Sequence, residues 1–123
     1  MSTELVAKAA WLLLAALHVG PSLVLFTPAL AARLYGVDPA GDVGVLVVHR
    51  GALFLAVVAC ALYAVFDLDA RRVASIVLAV SMIGFLIVYA RAGFPPGSLR
   101  TIAIADLVGL LPLTFAALQT WRT

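Results

Sequence analysis

The chain has 123 residues, 65% of them hydrophobic and only 11% charged, with a formal net charge of +2. Its mean hydropathy is +1.17. About a quarter of a soluble domain's residues are charged, so this chain cannot cover itself with polar side chains, and its few scattered basic residues exclude the dense patch that nucleic-acid binding needs.

Four apolar runs follow one another, at residues 5–26, 43–66, 73–92 and 99–121. Each is close to the roughly 20 residues that cross a 30 Å hydrocarbon core as a helix. The runs are continuous rather than alternating, and rich in Ala and Leu, which excludes barrel strands and favours helices. The expected architecture is all-α, a single domain over 1–123 built as a four-transmembrane-helix bundle, with the surrounding lipid bilayer as its first partner.

Helix 1 starts near Glu4, whose carboxylate suits a helix N-terminus. Glu4 leaves the leader without net positive charge and the run is longer than a signal-peptide core, so the segment is expected to be retained. Pro21 frees the carbonyl of Leu17, which predicts a kink beside His18. Thr27-Pro28 reads as a cap followed by proline, opening a short interfacial helix over TPALAARLYG that Gly36 ends. Arg33 and Tyr35 fall at headgroup level. VDPAGD forms a turn, with Asp42 placed to cap the second helix.

The second run contains VVHRGALF, and His49 and Arg50 are its only basic side chains, with no acidic one before Asp67. Ala52, Ala56, Cys60 and Ala64 recur every four positions behind His49, a small-residue stripe of the kind that lets helices approach in lipid. Cys60 has no second cysteine to pair with and reads as a packing residue. DLDARR, residues 67–72, is a polar loop. The third helix ends with Tyr89 and Arg91. GFPPGS is the next turn, Ser98 a good cap, and Pro112 predicts a second kink near Gly109. Trp11, Trp121, Tyr35 and Tyr89 read as interfacial anchors.

Depth brings the polar residues together. Arg50 lies about seven residues into the second helix, roughly 10 Å from the face that carries Arg33, and Asp106 lies about as deep in the fourth helix from the same face. Unpaired, each costs a few kcal/mol in hydrocarbon, so an Arg50–Asp106 ion pair between the two helices is expected. His18 and His49 fall in the same half of the bundle, and Tyr89 and Arg91 at its rim, while the other half reads as almost purely apolar. Lys8, Arg71, Arg72 and Arg122 on the side of the termini outnumber Arg33, Arg91 and Arg100 opposite. The positive-inside bias therefore places the termini in the cytoplasm.

LYGVD, HRGALF, SM in the third helix and IADLVGL resemble, across nearly the whole chain, small bacterial four-helix integral membrane proteins loosely related to the DoxX-like group. The resemblance implies a four-helix fold in a bacterial inner membrane and brings no established activity. The wider group is linked to quinone or thiol redox systems, and the lack of a cysteine pair here speaks against the thiol branch. No nucleophile–base pair and no third metal ligand stand beside the histidines, so neither a catalytic centre nor a metal site is expected. The leading reading is a non-enzymatic membrane protein without a cofactor: an accessory subunit beside other membrane proteins or in a homo-oligomer, or a lipid- or quinone-binding bundle with Arg50, Asp106, His49 and His18 around a pocket. The competing reading is a redox or proton-coupled transport protein using His18, His49 and Asp106, with the two histidines as axial haem ligands.

Overall fold

The computed structural model describes residues 2–122. Ser2 caps α1 (Thr3–Ser22), its hydroxyl accepting from the Leu5 amide at 3.2 Å, which leaves Glu4 in the first turn. Pro21 lies inside α1, and directly after it the chain tightens into a 3₁₀ turn at Leu23–Leu25. The short helix α2 (Leu30–Tyr35) is closed by Gly36 in the left-handed conformation, φ 67°. Thr27 contributes its carbonyl, bonded to the Leu30 amide at 3.0 Å, rather than a side-chain cap. The long helices α3 (Asp42–Phe66), α4 (Ala70–Arg91) and α5 (Ser98–Trp121) complete the chain.

Asp42 and Ser98 are the first residues of their helices rather than the caps, which are Gly41 and Gly97. A larger difference concerns α4. It begins at Ala70, three residues before the apolar run, because the Asp67 carboxylate accepts the Asp69 amide at 2.9 Å and completes the reversal there. Arg71 and Arg72 therefore ride on the first turn of a helix instead of a loop.

The four long helices form a closed ring. α1 packs on α3 and α5, and α4 packs on α3 and α5, but no Cα atoms of α1 and α4, or of α3 and α5, come within 8 Å among the described residues. Burial recurs every seven residues on each helix. On α3 Gly44, Gly51, Val58 and Val65 are buried at that spacing, with Ala61 buried and Val47 and Phe54 half-buried between them, and Val57 and Ala64 beside them. On α1 Ala7 and Leu14 are buried with Trp11 and His18, on α4 Arg71 and Leu78 with Ser75, Met82 and Tyr89, and on α5 Gly109 and Ala116 with Leu113, Asp106 being half-buried. A seven-residue period is the signature of helices that wind round one another at a shallow angle.

This register places the small-residue stripe of α3 differently from its expected role. Ala56 is exposed and Ala52 and Cys60 are only half-buried, so the stripe lies mostly on the flank of the bundle. The close approach is made by Gly51, where a Cβ would come within 2.7 Å of the Leu25 backbone nitrogen. Trp11 is fully buried in the core and is no interfacial anchor. Outside, the bundle presents large apolar side chains such as Leu12, Val80, Leu111 and Phe66, while His18, Ser22, Arg71 and Ser75 are buried. An apolar exterior over four helices of 22 to 25 residues is the arrangement a bilayer demands and water forbids. The chain is a small integral membrane protein.

Candidate functional site

Polar residues gather at both ends of the bundle, not at one. At the end that holds the termini, Arg71 is 5% exposed and its head is fully used. Nε donates to the Ala64 carbonyl at 2.8 Å and Nη2 to the Val65 carbonyl at 3.4 Å, while Nη1 and Nη2 bind the two Glu4 carboxylate oxygens at 3.0 and 2.8 Å. One guanidinium thus closes the free carbonyls at the end of α3 and ties α1 to α4 across the ring. Nearby, the Trp121 indole donates to Ser75 Oγ at 3.0 Å, and the Arg72 guanidinium lies 5.1 Å over the Trp121 ring. This half, expected to be apolar, holds the only ion pair among the described residues. The signal was present as Glu4 and DLDARR on one face, but it became a bond only when α4 started early enough to turn Arg71 inward.

At the other end, the expected Arg50–Asp106 ion pair is absent: no carboxylate oxygen lies within 4.0 Å of Arg50 among the described residues. α3 and α5 are diagonal in the ring, as α1 and α4 are, but here no ion pair among the described residues bridges the diagonal as Arg71 and Glu4 do at the other end. Asp106 does sit on the inward stripe of α5, half-buried. Arg50 itself is surrounded by rings. Its guanidinium carbon is 4.5 Å from the centroid of Phe54, 5.6 Å from Phe85 and 5.7 Å from Tyr35, and Nη1 donates to the Tyr35 hydroxyl at 3.4 Å.

The two histidines separate. His18 is buried, and its Nδ1 donates to the Leu14 carbonyl at 2.8 Å, not to the carbonyl freed by Pro21; the ring stands 5.8 Å from Phe54. A carbonyl can only accept, so Nδ1 carries the proton and Nε2 is left as an acceptor, without a partner among the described residues. His49 is exposed on the flank of α3. One buried and one outward-facing imidazole do not converge on a single position as two axial ligands must. Tyr89 is buried rather than rimming a pocket, its hydroxyl donating to the Pro95 carbonyl at 2.8 Å, with Phe85 and Phe94 packed on its ring. Arg91 is exposed.

What the structure adds is a groove. Between α3 and α4 lies a space of about 570 Å³, lined chiefly by Phe54, Val57, Val77, Gly84 and Phe85, with Arg50 as its one ionisable side chain. Its polar end lies where Arg50, Phe85 and Val88 meet, and it extends along α4 to Val77. Those 12 residues of α4 span about 16 Å. Gly84 opens the floor: a Cβ there would meet nothing within 4 Å. The chain matches no protein-family model, no curated protein and no solved structure.

Proposed function

We propose that this protein is a non-enzymatic membrane bundle that holds a lipid-soluble amphiphile, of the lipid or quinone class, in the groove between α3 and α4. The observation that carries this reading is Arg50, a guanidinium without a carboxylate in contact, seated at one end of a long apolar groove. Such a site suits a molecule with a polar head and an apolar tail, since a concave, mostly apolar wall with few polar groups, here the Arg50 guanidinium and the Ser81 hydroxyl, binds by shape and orients by those groups. A binder fits better than a catalyst because the one ionisable group lining the groove, Arg50, stays protonated and offers hydrogen bonds rather than acid–base chemistry.

Native mass spectrometry of the protein released from gently solubilised membranes tests it, with Gly84→Leu as the comparison, because leucine there enters the open groove without meeting the bundle's own atoms at its first carbon. The expected result is a retained amphiphile whose occupancy drops severalfold in Gly84→Leu. Bare wild-type protein, or a molecule held equally by both, overturns the reading.

A further inference from the structure

We infer that the molecule in the groove is an acidic phospholipid of the surrounding membrane, its phosphate held by Arg50; the inference rests on the groove reading above. The chain offers its own internal standard. Arg71 and Arg50 both lie within the bundle, yet Arg71 places every nitrogen of its head on a carboxylate or carbonyl oxygen, whereas Arg50 has one long hydrogen bond, to Tyr35. A guanidinium carries five N–H donors in a planar fork.

Three rings fix the Arg50 guanidinium, but ring faces answer its charge only in part and take no hydrogen bond at its edge. Asp106, on the diagonal helix, does not touch it. What remains unmet is a planar, positively charged pair of donors, and phosphate oxygens match that fork two at a time. A neutral carbonyl head would take one hydrogen bond and leave the charge uncompensated in hydrocarbon.

Direction agrees with this chemistry. Arg50 lies roughly 10 Å below the membrane face on the Arg33 side, within reach of a long side chain extending toward the headgroups. From there the groove runs inward along α4, as an acyl chain of that leaflet does.

The test offers the full-length protein equal amounts of phosphatidylglycerol and phosphatidylcholine with identical acyl chains, and native mass spectrometry reads the ratio bound. Wild type is expected to prefer the acidic lipid about tenfold, because both heads offer a phosphate to the fork but only phosphatidylcholine brings a second cation that cancels its charge and repels Arg50. Arg50→Gln brings the ratio to within twofold of one, and Arg50→Lys keeps part of the preference as a point charge without the fork. Arg100→Gln, a change of an exposed arginine on the same side, leaves the ratio unchanged. The inference is overturned by a wild-type ratio near one, which needs no variant to fold, or by a preference that survives Arg50→Gln or vanishes in Arg100→Gln. Equal binding of both lipids that Gly84→Leu abolishes removes the acidic head and keeps the groove. Binding of neither lipid overturns both readings.

Discussion

Three glycines on three helices allow one chemical change to be read against three surroundings. At Gly51 an added Cβ would stand 2.7 Å from the Leu25 backbone nitrogen and 3.3 Å from the Leu25 Cα. Ordinary contact begins at 3.4 Å, so α3 and the 3₁₀ turn must separate by about 0.7 Å, and backbone cannot rotate out of the way. Overpacking of this kind costs about 1–3 kcal/mol, and alanine recovers about 1 kcal/mol of that through its greater helix propensity. Gly51→Ala is therefore expected to destabilise by up to about 2 kcal/mol. At Gly84 the Cβ meets open space, and the same substitution is expected to stabilise by up to about 1 kcal/mol. Gly109 falls between them, because its Cβ would press on the ends of two flexible side chains, Met82 Cε at 2.6 Å and Leu17 Cδ1 at 2.9 Å. Unfolding of the purified protein in mixed micelles by rising dodecyl sulfate, followed by circular dichroism, measures the three differences. Equal stability of Gly51→Ala and Gly84→Ala would refute the close approach and with it the packing of α3 on the end of α1.

The same assay ranks the polar contacts. Arg71→Met is expected to cost about 3 kcal/mol, near the low end for a broken buried pair because the orphaned Glu4 side chain is 50% exposed; Glu4→Gln costs about 1 kcal/mol, since the α3 carbonyls keep their donor. Equal losses for the two would mean that the carbonyl contacts contribute nothing. Double-mutant cycles should give a larger coupling for Glu4 with Arg71, which touch, than for Arg50 with Asp106, which do not, although both pairs span a diagonal of the ring; the reverse order would put the second pair in contact. Tyr89→Phe removes the hydroxyl bond to Pro95 in the α4–α5 turn and is expected to cost about 1 kcal/mol, with lipid occupancy unchanged. A loss of lipid in that variant would make Tyr89 part of the groove.

Composition alone determined the class, because a chain so poor in charge has no surface for water. Run lengths determined four spans, and glycine and proline placed the turns to within a residue or two, as at Gly36 and Gly97. Depth arithmetic found that Arg50, Asp106 and His18 share one half of the bundle. It did not find their partners. In water the buried face of a helix is marked by its apolar residues, but in lipid both faces are apolar and that mark disappears. His49 and the small residues behind it therefore read as a packing stripe, although α3 turns its Gly44, Gly51, Val58 and Val65 inward instead. Likewise Arg50 and Asp106 share a depth, and opposite charges at one depth attract, yet the helices set them on diagonal corners, where contact needs a side chain aimed across the ring, as Arg71 is toward Glu4 and Arg50, held among Tyr35, Phe54 and Phe85, is not. Distance along the membrane normal is written in the order of residues. Angle around the bundle is decided only when each helix meets its neighbours, because that angle depends on contacts that no single segment contains.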